Sequence, residues 1–102
     1  MKIAISSDGK DENSKISQAS GRAPYYLIFE DGKLIKKLKN PFRFGGGGAG
    51  FGVAEVLSDE NVELVISGKF GENMKGALRA KGIKFRELSD ITIKEALKKK
   101  NE

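Results

Sequence analysis

The sequence contains no cysteine and no histidine. Without cysteine the chain can form neither disulfides nor thiolate ligands, and without histidine it lacks the side chain best suited to proton transfer near neutral pH. A structural zinc site of the usual kind is built from these two residue types, so it is excluded. Function must therefore rest on carboxylates, hydroxyls, amides, lysines, arginines and the backbone. We predict no catalytic residues and no metal-ligating residues.

Long apolar runs are missing as well. No stretch of the 102 residues is long enough to span a bilayer, and Met1–Ile5 leads directly into a strand pattern rather than a signal peptide. We therefore predict no membrane partner and, for want of a targeting signal, a cytoplasmic protein. The balance of 38% hydrophobic and 32% charged residues predicts one globular domain over residues 1–102 with one modest core.

The net charge is +5, and part of it comes from a lysine-rich end that includes Lys94, Lys98, Lys99 and Lys100. We interpret this segment as a solvated helix end, where cations suit the helix dipole. A nucleic-acid surface would need a stripe with aromatic or arginine partners, which we do not find, so nucleic acid is not an expected partner. The richness in lysine and glutamate fits a heat-adapted source.

The apolar patterns predict the element order β-β-β-α-β-α-β-α. The predicted strands cover residues 2–6, 24–30, 33–40, 62–67 and 83–86, and the predicted helices begin near residues 49, 74 and 92. Asp31–Gly32 predicts a hairpin turn, and Thr92 with Glu95 predicts a capping box. The simplest arrangement is a mixed five-stranded sheet with helices on its faces. Its first strand is central, and its second runs antiparallel to the rest.

The segment NPFRFGGGGAGFG, residues 40–52, carries four glycines in a row. Such a run costs backbone entropy unless its conformation is needed. In the predicted sheet this segment and the loop at residues 67–73 leave from the carboxyl edge of the parallel strands, where open α/β sheets bind ligands. Both segments open helices, so their backbone N–H groups could cradle an anion. A surface loop that happens to precede a helix is the alternative interpretation, and both stay open.

Asp8, just past the first strand, suggests a different class of function. A mixed five-stranded sheet with a carboxylate at this place is similar to the ribonuclease H-type nucleases, which gather several carboxylates around Mg²⁺. Glu55 is a conceivable second carboxylate, but no third is in place. Asp8–Gly9 is more simply interpreted as a turn.

Two features near the glycine segment also allow more than one interpretation. Arg22 could aim its planar guanidinium at an anion, or it could pack on Tyr25 as a surface residue. Phe42, Phe44 and Phe51 flank the glycines and could be core, pocket wall or partner surface. We expect Phe51 to lie in the core.

Several stretches taken together resemble the dinitrogenase iron–molybdenum cofactor biosynthesis family over nearly the whole chain. They are MKIAISSDG, GRAPYYLIFEDGKL, NPFRFGGGGAG followed by AEVL, VELVISGKFGENMKGALRAKGIKF and TIKEAL. The resemblance implies a three-layer α/β sandwich of ribonuclease H-like topology. It also implies binding of an anionic iron–molybdenum or iron–sulfur cluster, or a related metal–sulfur species, and cofactor-assembly proteins as partners. It does not imply catalysis.

The matches to this family's motifs fall at the start of the second strand and at the starts of the first two helices. The matching positions are Gly21, Arg22, Ala23, Gly47, Gly48, Gly50, Gly71 and Asn73. The chain departs from the family at Ala19, where a histidine is frequent, and at Glu72 and Met74, which replace a proline and an alanine. Glu72 places a carboxylate near the expected anion site, which would weaken anion binding.

The missing histidine narrows how a cluster could be held. Ligation through imidazole or thiolate is impossible in this chain, and Met74 offers only a weak sulfur ligand. A cluster with its own sulfide shell could still be held non-covalently by backbone N–H groups and cations, among them Lys69. The alternatives are another small anion, or a protein-interaction module that has lost cluster binding. The predicted ligand-binding residues are Gly21, Arg22, Arg43, Gly47, Gly48, Gly50, Gly68, Gly71 and Asn73.

Overall fold

A computed structural model describes residues 1–44 and 48–99 of the chain. The elements follow the predicted order, with bounds that differ from the predicted ones by one or two residues. They are β1 (Lys2–Ser7), β2 (Tyr25–Glu30), β3 (Lys33–Lys39), α1 (Ala49–Asp59), β4 (Leu64–Ser67), α2 (Glu72–Ala80), β5 (Lys84–Glu87) and α3 (Ile93–Lys98).

The five strands form one mixed sheet in the order β3-β2-β1-β4-β5. β1 pairs in parallel with β4, which pairs in parallel with β5, whereas β2 is antiparallel to both β1 and β3. The predicted central position of β1 and the reversed direction of β2 are confirmed. β1 suits the centre because residues 3–7 are all buried, as expected for a strand covered on both faces. The ribonuclease H-like topology stays a prediction.

Helices cover both faces of the sheet. On one face, Ala4 of β1 belongs to a buried cluster with Leu57 of α1 and Leu78 of α2. On the other face, Ile5 belongs to a second cluster with Ile93 of α3. Successive residues of β1 thus feed opposite cores, which is the period-two alternation of a strand. None of the helices in residues 1–44 and 48–99 is long and apolar enough to cross a membrane.

Two local predictions are confirmed by backbone geometry. Asp31 and Gly32 both have positive φ, at 51° and 82°, which is the conformation of a tight type I′ hairpin. Thr92 caps α3 and exchanges hydrogen bonds with Glu95, as the capping box requires. These turns fix the ends of the sheet and of α3. Because β3, β4 and β5 all run in the direction of β1, the carboxyl ends of these four strands share one edge, and α1 and α2 both begin there.

Candidate functional site

The starts of α1 and α2 pack directly against each other at the carboxyl edge of the sheet. A Cβ added at Gly50 would lie 3.1 Å from both the backbone nitrogen and the Cβ of Met74. A side chain at position 50 would require the start of α2 to shift by a few tenths of an ångström, because contacts this short are tighter than ordinary van der Waals packing. Part of the glycine segment therefore serves to bring two helix N-termini side by side.

Neither of these helices is capped by a side chain. Gly48 is the N-cap of α1 with φ 85° and ψ 5°, a left-handed conformation that favours glycine. Gly71 is the N-cap of α2 in an extended conformation and also makes no side-chain cap. The first N–H groups of a helix have no partner within the helix. Two sets of such donors are consequently brought to the same place.

The two helix starts line an open pocket of about 270 Å³. The loop before β2 forms another wall of the pocket and lies against the start of α1. The pocket gathers many of the predicted ligand-binding residues from three separate parts of the chain. Its lining residues are Ser20, Gly21, Arg22, Gly48, Ala49, Gly50, Gly71, Glu72, Asn73 and Met74.

Two predicted residues, Gly68 and Arg43, are not brought into this lining. Gly68 packs against residues 17 and 18, and its N–H donates to the Ser17 carbonyl at 2.9 Å. Arg43 is exposed, and its guanidinium lies 4.9 Å from the centre of the Phe44 ring. Gly47 lies outside the described residues. Of the predicted cations, only Arg22 lines the pocket.

The charges around the pocket are few. Arg22 is exposed, and its Nη1 donates to the Phe42 carbonyl at 3.4 Å. Glu72 brings a carboxylate to the same pocket, as expected from the sequence, and pairs with Lys75 at 3.3 Å. Lys75 offsets part of the negative charge. An anion in the pocket would therefore rely mainly on backbone N–H groups and on one guanidinium.

Two buried side chains hold the wall formed by the loop before β2 through hydrogen bonds to its carbonyl groups. The sequence patterns did not single out either of them. The Tyr26 hydroxyl donates to the Ser20 carbonyl at 2.6 Å. The Asn40 amide donates to the Gly21 carbonyl at 3.1 Å and to the Ala23 carbonyl at 2.9 Å. Burial raises the pKa of Tyr26 far above its ordinary value, so its hydroxyl keeps its proton and remains a donor.

A usable signal for Asn40 was present in the sequence. Asn40 precedes Pro41, and its side-chain oxygen accepts a hydrogen bond from the Phe42 N–H at 2.9 Å. This is the turn that an asparagine makes with the backbone two residues on. The signal predicts the turn, but it does not reveal that the amide group of the same side chain holds the loop at residues 21–23.

A smaller pocket of about 220 Å³ adjoins the first and shares Ser20, Gly21 and Gly71 with it. Ala19 and Lys69 also line this second pocket. Lys69 is exposed, and its backbone carbonyl accepts from the Ser20 N–H at 3.0 Å. The loop after β4 therefore holds the same wall as Tyr26 and Asn40.

The carboxylates do not gather. Within residues 1–44 and 48–99, no three acidic side chains lie close enough together to hold a metal ion. Asp8 is exposed after β1, and Glu55 of α1 pairs with Lys81 at 2.6 Å near the end of α2. The nuclease interpretation therefore lacks its metal site in the described part of the chain.

The prediction that Phe51 lies in the core is wrong. Its side chain is 54% exposed, because the neighbouring Gly50 turns the first turn of α1 towards Met74 and leaves Phe51 on the outside. Phe44 is 89% exposed, whereas Phe42 is half-buried and packs on the cluster under α1 and α2. The three phenylalanines near the glycines therefore have three different environments.

Comparisons with known proteins agree with this architecture. The family model described as dinitrogenase iron–molybdenum cofactor matches residues 1–102. A putative NifB protein from Thermotoga is 30% identical with a TM-score of 0.81, over 95% of this chain and 84% of that one. None of the curated proteins compared by sequence matches the chain.

Two further solved structures share the fold. The apo form of the orange protein from Desulfovibrio gigas has a TM-score of 0.90 at 24% identity, over 96% of this chain and 84% of that one. A putative dinitrogenase from Methanocaldococcus jannaschii has a TM-score of 0.66 at 21% identity, over 95% and 84%. At these identities the likeness is one of fold.

Proposed function

Because the chain belongs to the dinitrogenase iron–molybdenum cofactor family, we propose that it is a non-catalytic carrier of an anionic metal–sulfur cluster. The cluster is its cargo, and the pocket between the starts of α1 and α2 is the binding site. The proposed ligand-binding residues are Gly21, Arg22, Gly48, Gly50, Gly71 and Asn73. Arg43, Gly47 and Gly68 remain predictions on which this proposal does not depend.

One observation carries the proposal: two helix N-termini without side-chain caps open into one pocket. Each presents N–H donors and a partial positive charge, which together favour a negative ligand. Arg22 adds a full positive charge at the rim. The arrangement fits a ligand that is held by many weak donors.

The residues present fit a non-covalent cargo and do not fit direct ligation. The sequence has no thiolate or imidazole donor. Met74 lines the pocket but is 1% exposed, and its backbone is packed against Gly50. The metals would therefore keep their own sulfide shell, and the protein would contact that shell through N–H groups and Arg22.

The direct test is an anaerobic titration with isolated iron–molybdenum cofactor and with a simple iron–sulfur cluster, followed by gel filtration and absorbance. We expect co-elution at low salt and its loss at high salt, because exposed charges are screened by ions. Absence of co-elution at low salt would contradict the proposal.

Two arginine variants locate the site. Arg22→Gln should weaken cofactor binding by about tenfold, since it removes a charged donor at the rim. Arg79→Gln is the matched control, because Arg79 lies over the Phe85 ring and does not line the pocket. Equal weakening by both variants would mean that net charge, rather than this pocket, attracts the cofactor.

A second candidate is a protein-interaction module of the same fold without cluster binding. It is favoured by two exposed aromatic side chains, Phe44 and Phe51, which flank the glycine run in the sequence, and by Ala19 in place of the histidine that the resemblance implies. The test is Ala19→His, which places an imidazole in the second pocket. If the unmodified chain binds no cofactor and Ala19→His does, the scaffold is competent and the ligand residue is what the chain lacks.

A further inference from the structure

The pocket wall at Ser20–Gly21 is oriented by side chains that do not themselves reach the pocket. Tyr26 is 1% exposed and lies in the core under α1 and α2, yet its hydroxyl donates to the Ser20 carbonyl. Asn40 is 5% exposed and donates to the next carbonyl, that of Gly21. Two consecutive carbonyl groups of the wall are therefore occupied on the side away from the pocket.

The direction of the Gly21 N–H follows from this arrangement. The chain has no cis peptide bond among its described residues, so the N–H of Gly21 points opposite to the Ser20 carbonyl. That carbonyl points inward to Tyr26. The Gly21 N–H consequently points away from the core, and no group in the described residues accepts its hydrogen bond. Gly21 lines both pockets.

We infer that Tyr26 and Asn40 are positioning residues that hold the Gly21 N–H towards the pocket as a further donor beside those at the starts of α1 and α2. The inference rests on the proposed function, because it assigns that donor to the same anionic cargo. Without the two side chains, the Ser20 and Gly21 carbonyls would be released and could turn their negative ends towards the pocket. The same peptide would then repel an anion that it now attracts.

The geometry of the loop supports a directional role beyond simple packing. The Ser20 N–H already donates to Lys69, and the Arg22 N–H donates to Ala19 at 3.3 Å. Their hydrogen bonds fix the peptide groups on either side of Gly21. Among the backbone N–H groups of residues 20–22, those of Ser20 and Arg22 have partners, and that of Gly21 stays available to a ligand.

Tyr26→Phe is the test, because it removes the hydroxyl and keeps the buried ring. Tyr25→Phe is the matched control, since Tyr25 is the adjacent residue and its ring lies under Lys10 and packs with the cluster beneath α3. Each variant is measured with ¹⁵N amide spectra of the free protein and by co-elution with isolated iron–molybdenum cofactor. Urea unfolding of both variants separates a loss of stability from a loss of orientation.

We expect Tyr26→Phe to shift and broaden the Gly21 amide signal while the amides of α3 stay unchanged, and to weaken cofactor binding about tenfold. Tyr25→Phe should do neither. Unchanged cofactor binding with an unchanged Gly21 signal would overturn the inference. If the unmodified protein binds no cofactor, the proposed function fails. The Gly21 signal in Tyr26→Phe then still decides whether Tyr26 orients this peptide.

Asn40→Asp is a second variant, which separates the hydrogen bond that the Asn40 side chain accepts from those that it donates. Aspartate keeps an oxygen to accept from the Phe42 N–H but has no amide group to donate to the Gly21 and Ala23 carbonyls. We expect the turn at Phe42 to persist, the Gly21 signal to shift and cofactor binding to fall. Normal binding with a normal Gly21 signal would remove Asn40 from the inference.

Discussion

The start of α3 has a side-chain cap for its first N–H groups, whereas the starts of α1 and α2 have none. At α3, the Thr92 hydroxyl accepts from the Glu95 N–H at 3.2 Å, and the Glu95 carboxylate accepts from the Thr92 N–H at 2.9 Å. At α1 and α2, glycine occupies the N-cap and no side chain caps the helix. The helix start that lies away from the pocket is capped by a side chain, and the two that line the pocket are not.

The magnitudes explain why an open start is tolerable. Glycine at an N-cap costs only a few tenths of a kcal/mol relative to serine or aspartate. A hydrogen bond to a charged partner contributes about 1.5–3 kcal/mol. A small loss in folding stability thus keeps donors available whose interaction with an anion is several times larger. Under the proposed function, the helix starts divide between stability at α3 and binding at α1 and α2.

The largest expected effect comes from giving α2 a side-chain cap of its own. Position 71 accepts a side chain, since its φ is −73° and no atom lies within 4 Å of an added Cβ. In Gly71→Asp the carboxylate would occupy the first N–H groups and repel an anion, so we expect at least about tenfold weaker cofactor binding. The free energy of unfolding should stay equal or rise by a few tenths of a kcal/mol.

Titration with isolated cofactor and urea unfolding measure the two effects of Gly71→Asp. Gly71→Ser is the control, because its neutral hydroxyl caps the helix without adding charge. It should weaken binding less than aspartate does. Undiminished binding in both variants would show that the N–H groups of α2 do not hold the cargo.

The features that the sequence predicted correctly are mostly local. The hairpin at Asp31–Gly32 and the capping box at Thr92 depend on residues one to three positions apart, so the letters themselves carry the geometry. The order of strands followed from their apolar pattern and from the rule that parallel crossovers place helices on the sheet faces. The common direction of the first, third, fourth and fifth strands predicted that the loops before α1 and α2 meet at one edge.

The features that the sequence did not predict depend on contacts between distant segments. Tyr26 has the pattern of an ordinary strand residue, and nothing in its neighbours indicates that its hydroxyl holds Ser20. Phe51 looked like a core residue because apolar side chains in a helix usually face the sheet. The close contact between Gly50 and Met74 sets the rotation of that turn, and a contact across 24 residues is not readable from the spacing of α1 alone.

Thr92→Ala tests the capped helix start, that of α3. Removing the capping hydroxyl from α3 should lower the free energy of unfolding by about 1 kcal/mol. Cofactor binding should not change, because the start of α3 does not line the pocket. Urea unfolding and the cofactor titration measure both quantities on one preparation. A parallel loss of binding would mean that the closed and open helix starts are coupled through the sheet, against the division proposed above.

The smallest expected effect is a change in the acid limb of stability. Hydrogen bonds from the Thr92 N–H and then from its hydroxyl hold the pKa of Glu95 below its ordinary value, with Lys15 and Lys99 adding to the effect. A carboxyl group whose folded pKa is lowered stabilises the fold fully above its ordinary pKa, about 4.3 for glutamate. That contribution is lost as the pH falls through the lowered value.

Glu95→Gln keeps an oxygen for the cap but cannot titrate. Its urea midpoint should therefore fall less than that of the unmodified chain between neutral pH and about pH 3. Glu30→Gln, which removes an equal charge from the end of β2, is the comparison. If Glu95→Gln loses as much stability in acid as the unmodified chain, the charge of Glu95 does not contribute to the capping box at α3. The difference between α3 and the uncapped starts of α1 and α2 would then be one of hydrogen bonding alone.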